Sequence, residues 1–149
     1  MKLFRRMEWV SGLVVVLASW LLGAGMAVAE PQEWDQQEAT KLAQEFVETI
    51  DKIIAGAKTA PLQKTAIRQR TRDGAVSGLS AVRKSAEAYA KQLESGRDGS
   101  ATELFFAQVR EGFEQTRSVA RDAVASGEQR SNLETAEKLL DQLARYYDY

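Results

Sequence analysis

Residues 39–57 read ATKLAQEFVETIDKIIAGA, and the spacing of their apolar side chains decides the fold. Ala39, Ala43, Phe46, Ile50, Ile53 and Ala57 recur in steps of four, three, four, three and four. Side chains three and four apart lie above one another on an α-helix, so this rhythm gathers them on one face. Leu42, Val47 and Ile54 widen the stripe beyond a single seam, as a helix facing a bundle core requires. The helix is expected from about Trp34 to Lys58.

The same rhythm recurs downstream. Ala75, Leu79, Val82, Ala86, Tyr89 and Leu93 make a second seam, in a helix expected from Pro61 to about Glu94. Proline suits a first helical turn, where its missing N–H would go unpaired anyway. The early part of this segment is polar nearly all round, and Asp73-Gly74 is expected to kink or break it. A third helix is expected to open on the capping box Ser100-Ala101-Thr102-Glu103 and to stop at Ser126-Gly127. Its seam is Phe106, Val109, Phe113, Thr116, Ala120 and Ala123. A fourth is expected from a second capping box, Ser131 to Glu134, with Leu133, Ala136, Leu140, Leu143 and Tyr147 inward. Sustained alternation of Val, Ile and Thr is missing, so no strand is expected. The fold class is therefore all-α, an up-down-up-down four-helix bundle. Charge favours that order. Residues 30–58 carry seven acidic and three basic groups, and residues 59–95 the reverse balance of three and seven.

Upstream of the bundle the chain changes character. Lys2, Arg5 and Arg6 precede an apolar run from Val10 to Met26, which closes on Ala27-Val28-Ala29. A basic start, an apolar middle and an A-x-A end read as a signal peptide cut after Ala29. The domains are then 1–29, removed on export, and 30–149, the bundle. A periplasmic address is expected. The alternatives are secretion to the medium, or an inner-membrane anchor retained through residues 10–29, whose length is close to the roughly 20 residues a span needs.

Composition closes off much chemistry. The chain has no Cys, so neither disulfides nor a lipid-modified cysteine are available. It has no His, and all three Met lie within residues 1–29. The usual ligand sets for zinc, copper and haem are thus missing from the exported part, and no metal or other cofactor is expected. Bundle cytochromes share the expected shape, but no C-x-x-C-H motif accompanies it here. Without histidine the commonest general base is lost, and an enzyme is the least favoured reading. Residues 30–149 hold seventeen Lys or Arg against twenty Asp or Glu, a net charge of −3, which argues against nucleic acid as partner.

Two candidate sites remain, one at each end of the bundle. The antiparallel order collects Trp34, Tyr89, Phe105, Phe106, Tyr146 and Tyr147 at one end, either as a plug or as an aromatic docking site. The opposite end gathers Lys64, Arg68, Arg72 and Arg121 as a candidate face for an anion or an acidic partner. The expected function is non-catalytic binding of a protein or envelope component, with transient contact to a membrane surface and self-association both open. Frequent alanine on the seams leaves one alternative, a carrier of a small apolar or amphipathic ligand in the bundle core.

Overall fold

The computed structural model describes residues 32–60, 65–123 and 126–147. The signal-peptide segment, the alternative anchor at 10–29, Pro61 and Lys64 lie outside the described residues. Among the described residues there are four α-helices and no strand: α1 Gln36–Thr59, α2 Ala66–Glu94, α3 Gly99–Ala123 and α4 Gly127–Ala144.

Each helix start follows from a side-chain oxygen that satisfies orphan backbone N–H groups. The N–H groups of Gln37 and Glu38 both donate to Asp35 Oδ1 at 3.0 Å. Thr65 caps α2 by accepting from the Arg68 N–H at 3.4 Å. Both expected capping boxes are corrected. Asp98, not Ser100, begins α3: its Oδ1 accepts from the Ala101 N–H and from the Ser100 hydroxyl, each at 3.0 Å. An anionic acceptor outcompetes a hydroxyl for those donors, and the serine becomes a donor to it. Ser126 caps α4 through the Gln129 N–H at 3.2 Å, so Ser126-Gly127 opens a helix rather than ending one, and Ser131 falls inside it.

The expected break at Asp73-Gly74 does not occur, and α2 runs unbroken through it. Glycine there forfeits roughly 1 kcal/mol of helix propensity. Packing immediately downstream offsets this, because Ala75, Leu79 and Val82 are all buried. The turn after α2 does use glycine: Gly96 has φ +81°, its N–H donates to Leu93 O, and the Arg97 N–H donates to Gln92 O. That pair of bonds is a Schellman motif, which needs a left-handed residue at this position.

Cross-helix contacts establish the directions. The Gln36 amide donates to Leu93 O at 2.6 Å, and Asp51 pairs with Arg83, so α1 and α2 are antiparallel. On the next pair, Tyr89 meets Phe106 while Gly78 faces Thr116. A Cβ at Gly78 would lie 2.7 Å from Thr116 Cγ2, so glycine lets these two backbones approach closely. α1 also packs on α4, with Gly56 beneath Gln129 and the Gln32 N–H donating to Arg145 O. α3 and α4 touch over a much shorter stretch than the other neighbouring pairs. The charge contrast between residues 30–58 and 59–95 appears as the Asp51–Arg83 pair, which Glu87 extends at 2.9 Å from Arg83. Such partly exposed pairs contribute roughly 0–1 kcal/mol each and help alignment more than stability.

Candidate functional site

The aromatic end is packed inside, and at its surface Trp34, Gly99, Glu103, Tyr146 and Tyr147 line a shallow recess of about 450 Å³. Phe106 is 0% exposed and stacks on Tyr147 at 4.6 Å, with Tyr89 at 5.8 Å. Trp34 sets its edge against Tyr146 and Tyr147, at 5.5 and 5.8 Å. Gly99 leaves room for the indole, since a Cβ there would sit 2.9 Å from Trp34 Cε3. Phe105 is half-buried at the edge of the same core.

Inside the rings runs a chain of hydroxyls. Tyr89 OH lies 2.7 Å from Tyr147 OH, which lies 2.9 Å from Thr102 Oγ1. Thr102 in turn donates to Asp98 O at 2.7 Å. Every buried phenol is thereby paired, as a low-dielectric interior demands. Thr102 and its role in the chain escaped the periodicity argument, whose seam for the third helix began only at Phe106. The cue was the position of Thr102 one turn before Phe106 on the same face.

Burial pushes the Tyr89 hydroxyl far above the ordinary tyrosine range, and its bond to Tyr147 pushes further. Tyr146 is also raised, first by burial and then by the nearby Asp35 and Glu38 carboxylates. Asp98 is lowered, first by the Ala101 N–H and then by the Ser100 hydroxyl, as befits a cap. The Tyr89 shift has a consequence for stability. An unfolded tyrosine ionises near pH 10, whereas the folded one keeps its proton. The contribution of Tyr89 is therefore fully present below about pH 10 and is lost as pH rises above it. Urea midpoints are expected to fall progressively through alkaline pH, and the fall should be shallower in Tyr89→Phe. Parallel curves for the two proteins would contradict the assignment.

The basic residues do not form one face. Arg68 and Arg70 are exposed on the first turns of α2, beside Ile67, which is 77% exposed. The Arg72 side chain is only 13% exposed and lies 3.5 Å from Asp73. Arg121 is on α3, hydrogen-bonded to Glu137 of α4 at 2.7 Å, in a recess shared with Arg130 and Glu134. The spacing by four that aligned Arg68 with Arg72 said nothing of how deeply each is buried.

At the same end lies a surface groove of about 510 Å³ edged by Lys52, Ala55, Ala123, Glu128 and Gln129, over a closed floor in which Ile53, Leu79 and Ala120 are each 1% exposed. Among the described residues no group of three or more Asp or Glu is placed to hold a metal ion. None of the described helices is long and apolar enough to cross a membrane. The chain matches no protein-family model, and no curated protein or solved structure matches it significantly.

Proposed function

We propose that this is an exported, non-catalytic helical bundle that docks on an anionic surface of the cell envelope through the start of α2. The observation that carries the proposal is a helix end that serves no packing purpose. α2 begins at Ala66, but its first buried residue is Ala75. Residues 65–70 are exposed throughout. This stretch presents Ile67 beside Arg68 and Arg70, and among the described residues those two arginines enter no ion pair.

Electrostatics sharpen the point. A helix N-terminus carries partial positive charge, so acidic residues stabilise it and basic ones do not. The first turn of α2 has no acidic residue, and Arg68, Arg70 and Arg72 all stand within its first two turns. An anionic partner would relieve that arrangement. An exposed isoleucine set among arginines matches the chemistry of a lipid surface, where apolar insertion and headgroup charge act together. Each basic residue near such a surface contributes about 1 kcal/mol, so the binding is reversible and weakened by salt.

Cosedimentation with vesicles tests this reading. Processed protein is expected to pellet with phosphatidylglycerol vesicles at low salt and to stay in solution with phosphatidylcholine. Arg68→Glu with Arg70→Glu is expected to weaken binding roughly thirtyfold or more, the equivalent of about 2 kcal/mol. Equal pelleting of the double variant, or no pelleting of the parent protein, would refute the proposal.

A further inference from the structure

The 450 Å³ recess at the aromatic end is one-sided in charge. Asp98 and Glu103 contribute carboxylates and Ser100 a hydroxyl, and among the described residues no basic side chain lines it. Glu103 is exposed and, among the described residues, enters no ion pair. Arg97 and Arg145, the arginines closest in the chain, are exposed and stand outside the lining. Burial first, and then the carboxylates of Asp35 and Glu38, raise the Tyr146 hydroxyl, so negative potential extends to the α1 side of the recess.

The rest of the lining is aromatic and held in place. Trp34 and Tyr146 are each half-buried, so part of each ring stays open to water. Their rings stand at 71° with centroids 5.5 Å apart, as two walls of a corner. Each wall is tied back by a polar contact. Trp34 Nε1 donates to Gln36 Oε1 at 3.0 Å, and the Gln32 amide donates to the Tyr146 hydroxyl at 3.1 Å. The missing Cβ of Gly99 lets the indole settle over the start of α3, in the same recess as Asp98 and Glu103.

An aromatic face is electronegative and attracts a cation, as a carboxylate does. The two together favour a cation that gives up its water easily. A metal ion is poorly served, because hard cations take roughly six to eight oxygens and Asp98 Oδ1 already engages the Ala101 N–H and the Ser100 hydroxyl. A primary ammonium holds its water tightly. A guanidinium is flat and covers one wall of the corner, whereas a methylated ammonium is round and touches both. We propose that the recess binds a small quaternary ammonium monocation of the choline type, with Trp34 and Tyr146 against its methyl groups and Glu103 as its counter-charge. Asp98 and Glu103 repel a ligand that also carries phosphate, so the occupant is the free cation and not a phosphocholine headgroup. This site lies at the other end of the bundle from Arg68 and Arg70, and its occupancy does not depend on membrane docking.

Trp34 is the sole tryptophan beyond residue 29, so its indole N–H gives a single resonance in the processed protein. Titration with choline at constant ionic strength, followed by nitrogen–proton correlation spectra, provides the test. Saturable shifts are expected at that resonance and at the amides of residues 99–103. The dissociation constant should be on the order of millimolar, since each partly exposed cation–aromatic contact contributes only roughly two- to fivefold. Ethanolamine, which has the charge without the methyl groups, should bind at least roughly threefold more weakly, and so should dimethylbutanol, which has the shape without the charge. Phosphocholine should also bind more weakly than choline. Glu103→Gln should lower affinity for choline and leave dimethylbutanol unchanged, and Tyr146→Leu should weaken both. Arg68→Glu with Arg70→Glu should bind choline like the parent. No saturable shift in the parent protein, shifts confined to other residues, or equal affinity for ethanolamine would overturn the aromatic site. Equal affinity for dimethylbutanol, or undiminished choline binding by Glu103→Gln, would overturn the role of the carboxylate. Phosphocholine binding as tightly as choline would overturn the preference for a free cation.

Discussion

Phe106→Ala is expected to remove about 3–5 kcal/mol of folding stability, the usual cost of emptying a fully buried aromatic position. The ring has no solvent exposure, and it lies flat on Tyr147 at an interplanar angle of 10°. Truncation would therefore lose three things together: the transfer of the ring from water, the stacking, and the support that holds Tyr147 against Tyr89. The ring neighbours, Tyr89 on α2 and Tyr147 just past α4, are themselves rigid, so they cannot collapse into the space. Domains of this size have roughly 5–15 kcal/mol in total, so the variant should stand close to its unfolding threshold. Urea titration followed by far-ultraviolet circular dichroism measures the loss. Leu104→Ala is the matching control on the same helix: Leu104 is 78% exposed, and its removal should change stability by no more than about 0.5 kcal/mol. Similar losses for the two variants would mean that the aromatic end is not the packed anchor described above.

The second large effect is expected from a single oxygen atom. Tyr147→Phe keeps the ring on Phe106 and deletes only the hydroxyl that bridges Tyr89 and Thr102. Thr102 retains its bond to Asp98 O, but the Tyr89 hydroxyl loses its hydrogen-bond partner while only 1% exposed. An orphaned buried donor costs about 1–3 kcal/mol. Tyr89→Phe should be milder, because Tyr147 keeps Thr102 as partner, and the loss should approach the roughly 0.5–1.5 kcal/mol of an ordinary hydrogen bond. The double variant should then cost less than the sum of the two, since nothing is left unpaired once both hydroxyls are gone. Strict additivity across this cycle would show that the hydroxyls do not act as a chain.

Much of the fold was legible because helical periodicity is local information. All six apolar positions named for α1, from Ala39 to Ala57, are buried, as are all six of α2 and all five of α4. In α3, Thr116 and Ala123 are only half-buried, and Thr102 enters the core instead. Helix starts were less legible. Serine, threonine and aspartate all offer a capping oxygen, and the choice between Asp98 and Ser100 turns on a competition between two adjacent acceptors. The meeting of Trp34, Tyr89, Phe106, Tyr146 and Tyr147 could be inferred from helix order. How their rings pack and which hydroxyls pair could not, because both depend on ring angles set by helix spacing.

The candidate binding features were the least visible from residues alone. Arg68 and Arg72 share a spacing, yet one is exposed and the other largely covered beside Asp73. Arg121 belongs to a different seam, bonded to Glu137. Alanines at 57, 75 and 120 read equally well as close helix packing or as a gap. The sequence by itself determined that four amphipathic helices form and which face of each turns inward, since those properties depend on neighbours three and four residues away. Only the tertiary structure decided which cations keep a counterion and how closely the helices pack where alanines replace the rings. Both depend on the distance between helices, which the large rings elsewhere in the core set and no single segment encodes.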